Sequence, residues 1–485
     1  MTTIRDEHPV RPVSFSRLER RGILLGLSGP RLAAATFAIV VLVASLSVAG
    51  TTGMAWTSPL WGAALTVALA RAGGRALIEW APVVAHWLLR KARSQTRYRR
   101  RIVKPKLVGS LALPGDAARL RHYDDPESGA VMVHDPHAGT LLALVEVTHP
   151  AFVLLDPAEQ QRRVEGWGRA LSTLCRSTRV ARVQVLERTI PDAGTGLESW
   201  WREHGVDDGS WAARVYSELI DRAAPTAERH VTTITLSVDL RAASRAIRSA
   251  GGGMKGAAAV LRQDMEALTS ALRSAELRPG RWVTPDDLAL MLRSAYDPAV
   301  AAALERHSAV GRELATAGPI AVEERWASLR SDSAHHAVLW LSEWPRSMVY
   351  PGFLSPILLA SGVRRAVSIV YDPIRPDVAA RAIRRRKVEH LSDRAQRARI
   401  GQVEDAAISA ELDDVLQQEA DLVAGHGILR YAAFIAVTAT TADELEAAVA
   451  RIEQAAIQAS CETRRIWGQQ AQAFVAAALP LARGL

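Results

Sequence analysis

Two uncharged apolar runs dominate the front of the chain. Leu32–Gly50 and Met54–Ala70 contain no charged residue, and each is close to the roughly 20 residues that a helix needs to cross a hydrocarbon core. Thr51-Thr52-Gly53 joins them, with Trp56 and Trp61 near the connection, where amphipathic rings favour the headgroup level. The pattern predicts a two-helix transmembrane hairpin over residues 32–70. Arg11, Arg17, Arg20, Arg21 and Arg31 precede it, Arg71 and Arg75 follow it, and the connection carries no charge. The positive-inside bias therefore sets both ends, and the main body, in the cytoplasm. Arg20-Arg21-Gly22-Ile23-Leu24 also loosely fits a twin-arginine export signal, but a second span follows at once, which favours an anchor.

Beyond the hairpin the periods change. Ala76–Arg90 sets Leu77, Trp80, Val84, Trp87 and Leu88 along one side at helical spacing, which predicts an amphipathic helix, either lying in the interface plane as a collar or packed as a plain core helix. From Leu107 onward, short alternating runs predict strands at Leu120–Tyr123, Ala130–His134, Thr140–Val147, Arg182–Arg188 and His230–Leu240. Between and after them, helices are expected from Pro157 through Cys175, over Ser199–Ala224, over Ala242–Leu277 with an interruption at Gly251-Gly252-Gly253, and over Pro285–Arg293. The second half repeats the rhythm. Ile320–Leu329, Ala337–Glu343, Ala366–Tyr371 and Leu429–Thr438 read as strands. Gly352–Leu359 and Thr441–Ile466 read as helices, and residues 377–422 read as two charged antiparallel helices hinged near Gly401.

The fold class is thus α+β: a transmembrane hairpin, then subdomains of ferredoxin-like β-β-α-β character with long helices. The expected divisions are a mobile basic lead-in (1–31), the hairpin (32–70), a juxtamembrane amphipathic and Arg-rich collar (71–106), and α+β subdomains at 107–300 and 301–485. The last of these carries the helical insertion near 377–422.

Charge sharpens the picture of the collar. The formal net charge is +9, and the stretch from Arg90 to Lys106 holds nine cations and no acid. The rest of the chain is therefore near balance, and the high pI reports a local belt. Arg90, Lys91, Arg93, Arg97, Arg99, Arg100, Arg101, Lys104 and Lys106 are expected to contact anionic lipid, each contributing about 1 kcal/mol near such a surface. The alternative is a membrane-tethered nucleic-acid contact through the same run, with steep salt dependence. Cys175 and Cys461 lie in separate predicted helices, which suggests neither a disulfide framework nor a metal site.

Candidate chemistry is thin. Gly251-Gly252-Gly253-Met254-Lys255-Gly256 lacks the spacing and the Ser/Thr of a phosphate loop, which leaves the strand-like Val338–Glu343 without a Walker partner. His134 and His137 flank a turn with no third ligand nearby, and His335-His336 send their rings to opposite faces of a strand. No nucleophile elbow or zincin motif occurs. The expectation is a non-enzyme with no catalytic residue, metal or cofactor.

Particular residues do resemble a family. Tyr431–Glu446, Arg464–Gln470 and Phe474–Leu481 resemble the amino-terminal, non-ATPase domain of the TraC/VirB-class ATPases of conjugative type IV secretion. Ser14–Arg21, Gly26-Leu27-Ser28 and the basic exit are similar to the PrgI-like hairpin subunits of those machines. The whole chain resembles an actinobacterial family of integral membrane proteins found beside conjugation ATPases. The resemblance implies a non-catalytic membrane subunit of a type IV-like system, serving as a docking platform for a separate cytoplasmic ATPase. It also implies contact with other secretion-system membrane subunits and with copies of itself. Leu485 falls where the ATPase domain would begin, so hydrolysis is expected from another chain.

Overall fold

The computed structural model describes residues 10–15, 29–72, 75–100, 108–149, 152–191, 195–206, 208–223, 228–300, 313–399 and 406–484. The fold is α+β, and the chain divides at Ser16/Arg17, Thr96/Arg97, Ile466/Trp467 and Gln469/Gln470 into two compact units.

The smaller unit holds helix α1 (Gly29–Leu69), the two-residue strands β1 (Arg71–Ala72) and β2 (Arg75–Ala76), and helix α2 (Leu77–Ala92). The helical path of α1 is broken at Ala49 (φ −130°, ψ 15°) and Gly50 (φ 60°, ψ −150°). In an unbroken helix residues 45 and 53 would lie about 12 Å apart along the axis. Instead, a Cβ on Gly53 would sit 2.8 Å from the Ser45 carbonyl oxygen and 2.6 Å from the Ala49 Cβ. The chain has therefore turned back on itself. The ends agree, because Arg31 Nε at the start of α1 lies 3.8 Å from Glu79 Oε1 in α2. The reversal falls at Ala49–Gly50 rather than at Thr51–Gly53, which begin the second leg. Gly50 alone in this stretch adopts the left-handed φ that the turn requires, and Gly53 lets the legs approach.

The larger unit is a single 13-stranded antiparallel sheet with helices on both faces. In chain order its elements are β3 (Arg97–Arg99), β4 (Arg121–Asp124), β5 (Val131–Asp135), β6 (Thr140–Thr148), α3 (Pro157–Arg176), β7 (Val180–Pro191), α4 (Thr195–His204), α5 (Trp211–Ala223), β8 (Glu228–Asp239), α6 (Ser244–Ser249), α7 (Gly253–Ser274), β9 (Arg278–Trp282) and α8 (Pro285–Tyr296). There follow β10 (Ala321–Glu324), β11 (Leu329–Ser331), β12 (Ala334–Glu343), β13 (Arg364–Ile374), α9 (Pro376–Arg399), α10 (Ala406–Val423), β14 (Ile428–Ala439), α11 (Ala442–Gln458), β15 (Glu462–Arg465) and α12 (Gln470–Ala478).

The strand order is β3-β10-β11-β12-β14-β13-β7-β8-β6-β5-β4, with β9 added to β6 and β15 added to β12. Outward from the central β7–β13 pair the two sides repeat: β7-β8-β6-β5-β4 matches β13-β14-β12-β11-β10, and β9 matches β15. That pair is antiparallel, from Ala366↔Arg188 to Tyr371↔Val183. Two copies of one topology are thus related by a pseudo-twofold axis, and the repeated rhythm of the sequence is this duplication. The two copies share one sheet within the larger unit.

The two edges of the sheet meet. Arg97–Arg99 pairs with β10 at one edge. At the other, His122 N donates to the Gly109 carbonyl at 2.7 Å and Ser110 bridges Arg121. Tyr98 Oη then donates to the Ala112 carbonyl at 3.3 Å, and Gly318 packs its Cα against that same carbonyl. The sheet therefore curls around an interior that contains α8, α12 and the chain through Ala482, with Phe434, Tyr296 and Phe474 among the largest buried side chains. Its outer face carries α3 and α7 over the first copy and α11 over the second. With both faces covered, the central strands lose the alternation of a half-buried sheet, so Thr233, Thr235 and Ser237 of β8 are as buried as Ile234 and Leu236.

Several boundaries differ from the sequence expectation. Ser199–Ala224 is two helices, α4 and α5, because Gly205 and Gly209 interrupt it and Gly209 takes φ 72°. The helix expected to run to Ile466 stops at Gln458, and Glu462–Arg465 pairs with β12 instead. The lead-in is not wholly mobile: Val13 bridges Val349, and Phe15 stacks on Trp344 at 5.1 Å. The charged helices α9 and α10 do pair, with Lys387 Nζ 2.6 Å from Glu419 Oε2, while Gly401 lies outside the described residues. Thr441 opens α11 with a full capping box: its hydroxyl accepts from the Glu444 amide, and the Glu444 carboxylate accepts from the Thr441 amide. Thr441→Ala is expected to lower stability by about 1 kcal/mol in denaturant unfolding; an unchanged midpoint would remove the cap from the account.

Candidate functional site: an apolar anchor, a divided collar and an outer groove

The anchor is unusual for what it leaves uncovered. Along α1 only Ala38 and Ala68 are buried, while Phe37, Ile39, Val40, Val43, Leu60 and Trp56 are more than half exposed. The core helix of a water-soluble protein would bury such a face, and helical backbone with all its bonds internal is what a bilayer requires. Helix α2 buries no residue either, and it carries Pro82 within its second turn.

The nine expected collar cations do not continue one helix. Arg90 ends α2 and donates through Nη1 to the Gly468 carbonyl at 3.3 Å. Lys91 Nζ lies 4.9 Å from the Trp87 ring centroid, a cation–π contact, and Arg93 is the exposed C-cap residue of α2. Arg97, Arg99 and Arg100 belong to the larger unit instead. Arg97 pairs with Glu323 at 3.0 Å, and Arg99 is exposed on β3. Arg100 is committed to structure: its guanidinium donates to the Thr316 and Ala315 carbonyls at 3.1 and 3.4 Å. Arg101, Lys104 and Lys106 lie outside the described residues.

The outer face of the sheet holds a groove of about 840 Å³ beside the β7–β13 pair. Val185, Val367 and Ile369 contribute to its floor, and Phe152, Phe353 and Leu358 to its walls. One polar network enters it: Glu187 accepts from Thr232 Oγ1 and lies 3.1 Å from His230 Nδ1, and His149 Nε2 lies 3.2 Å from Thr232 Oγ1. No local pattern along the chain marks this groove, because it arises where two copies of one fold abut.

Groups that resemble catalysts are spent on structure. His336 lies inside the curled sheet, fully buried, with Ser331 Oγ 2.6 Å from Nε2 and Thr438 Oγ1 2.9 Å from Nδ1. Ser331 Oγ also donates to the Tyr296 carbonyl at 2.6 Å. With its one hydrogen used there, Nε2–H must donate to Ser331 and Thr438 must donate to Nδ1. The imidazole is thus the wrong tautomer to deprotonate Ser331, and no carboxylate orients it. Burial pushes the pKa of His336 down to about 3. Cys175 and Cys461 are buried thiols pushed up to about 11 by desolvation, the opposite of an activated nucleophile. Asp135, between His134 and His137, caps the turn through the His137 and Ala138 amides and pairs with Arg483. Among the described residues no cluster of His, Cys, Asp or Glu is arranged to hold a metal. Gly251, Gly252 and Gly253 all take positive φ in the turn from α6 to α7, and no strand leads into them as a phosphate loop requires.

Residues 226–341 match a family model described as "Putative type VII ESX secretion system translocon, EccE". The matched segment runs from the start of β8 into β12 and so crosses the join between the copies. This part of the chain is similar to a membrane secretion component. The machine named is type VII, which corrects the type IV conjugative expectation. The earlier resemblance rested on apolar strand and Leu-Pro segments that any buried sheet of this kind can share. No curated protein matches the chain.

Proposed function

We propose that the protein is a membrane-anchored, non-catalytic subunit of a type VII ESX-like secretion translocon. The observation that carries this reading is the EccE-like segment within a body joined to an exposed apolar hairpin. Both legs of α1 cross the bilayer, Gly50 reaches the far side, and the body lies in the cytoplasm, as the flanking arginines favour. The outer groove, apolar with one carboxylate–histidine network, receives another subunit of the assembly, and a separate ATPase supplies hydrolysis.

Affinity purification of the full chain from detergent-solubilised membranes tests this. Type VII translocon subunits, an ATPase among them, should be retained. Recovery from the soluble fraction, or retention of conjugation proteins instead, would overturn the reading. Cysteine labelling gives the topology: a Cys at Thr51 should react with an impermeant reagent in intact cells, and one at Ser128 only after lysis.

A further inference from the structure

The outer face of the β3–β10–β11 corner carries charged side chains brought together by strand register. Register sets Arg97 opposite Glu323, Glu323 opposite Arg330, and Arg330 opposite His335, so four strands carry one row of charged side chains. Arg99 lies one pleat away, opposite Ala321, and Arg325 opens the turn between β10 and β11. Arg97, Arg99, Glu323 and Arg330 line a hollow of about 340 Å³.

The charges there do not cancel. Among the described residues, Arg99, Arg325 and Arg330 have no carboxylate partner. Nearby acids are committed elsewhere. Glu324 points inward and accepts from the Ala471 amide at 3.1 Å. Asp332 accepts from the Ile320 and Ala321 amides and pairs with Arg293. Glu323 and Asp332 line the hollow beside Arg97, Arg99 and Arg330, and Arg325 is exposed in the adjoining turn. The crowding is felt by His335, whose pKa is lowered by burial and then by Arg330 and Arg325. Uncompensated arginines around a shallow hollow are suited to phosphate oxygens, which a guanidinium can grip by two parallel bonds.

We propose that Arg97, Arg99, Arg325 and Arg330 form a binding site for the phosphate headgroup of an anionic phospholipid. The source is favoured by chain continuity: β3 begins five residues after α2 ends, so Arg97 and Arg99 follow the apolar N-terminal segment closely along the chain. The inference rests on the membrane-anchored reading, but adds Arg325 and Arg330, more than 200 positions beyond the linear basic run.

The test uses the full chain in neutral detergent micelles, titrated with short-chain phosphatidylglycerol or phosphatidylcholine, with hydrogen exchange in the Arg325–Ser328 turn as the readout. Phosphatidylglycerol should slow exchange there and phosphatidylcholine should not. R325Q/R330Q should weaken the apparent affinity about 30-fold, the effect of two cations near an anionic surface. R325K/R330K should retain most of it, and both variants should keep the parent melting temperature. Equal protection by both lipids, or an unaltered affinity in R325Q/R330Q, would overturn the site. Equal protection by inorganic phosphate would overturn the lipid assignment, and protection by duplex DNA alone would replace it with a nucleic-acid contact. Retention of the chain in membranes during any of these failures would leave the anchored reading standing.

Discussion

Gln184→Leu is expected to destabilise the larger unit by about 4 kcal/mol, although Leu has nearly the volume of Gln. Gln184 lies on β7 at the pseudo-twofold centre and is fully buried. Its Nε2 donates to Ser368 Oγ at 2.9 Å, the Ala476 carbonyl at 3.2 Å and the Leu479 carbonyl at 3.0 Å, and its Oε1 accepts from Ala482 N at 2.7 Å. The reason a glutamine is needed is in the sequence of the C-terminal segment. In a helix the Ala476 carbonyl would be met by the amide four residues on, but that residue is Pro480, which has none. Gln184 supplies the missing donor, and Thr235 Oγ1 supports the next turn by donating to the Pro480 carbonyl at 3.0 Å. Leu would strand at least the Ala476 carbonyl and the Ala482 amide, each costing about 1–3 kcal/mol in a dry interior. Guanidinium unfolding of the full chain in detergent measures the loss. A change under 1 kcal/mol would mean that the C-terminal segment is held by packing alone.

That dependence also marks how much was legible in the sequence. The anchor was, because two uncharged runs of bilayer length have few other uses. The repeated strand rhythm was, because alternation along each strand is local; the capping boxes at Thr441–Glu444 and Thr284–Asp287 are likewise local devices whose partners lie three residues apart. The closure of the sheet was not: the approach of Tyr98 to Ala112, or of Arg99 to Ala321, is fixed by topology and leaves no periodic trace. The apolar run Phe474–Leu481 could lie in any core, and only the polar lining of Gln184, Thr235 and Ser368 shows which core it enters. Arg97, Arg99 and Arg100 were visible as part of a basic run, but the strand register that sets Arg97 and Arg330 on either side of Glu323 was not, nor was the use of Arg100 on the Thr316 and Ala315 carbonyls.

The buried imidazole gives the second large effect. In the folded chain the pKa of His336 is pushed down to about 3, first by burial, then by His335 and Arg364, against the raising influence of the Tyr296 carbonyl. An unfolded chain returns it to about 6.5. Below that value the unfolded state binds a proton that the native state refuses, so stability is full above pH 6.5 and falls as the pH drops toward 3. The slope is about 1.4 kcal/mol per pH unit, and several kcal/mol accumulate across the window. The geometry explains why the native state cannot adapt. Nδ1 accepts from Thr438, Nε2 donates to Ser331, and Ser331 donates to Tyr296, so a second ring proton would face a hydroxyl already oriented to donate. Phe474 packs against the imidazole with ring centroids 4.5 Å apart, and His336 is fully buried. His336→Gln separates this effect from the carboxylates that also titrate in acid: an amide preserves a donor toward Ser331 and an acceptor toward Thr438 but takes up no proton. Unfolding free energies measured from neutral pH down to about 4 should show the parent losing stability more steeply than the variant, by about 1.4 kcal/mol per unit. Parallel curves would mean that the imidazole finds a way to be charged inside the curled sheet, and the one-way hydrogen-bond chain assigned to it would then be wrong.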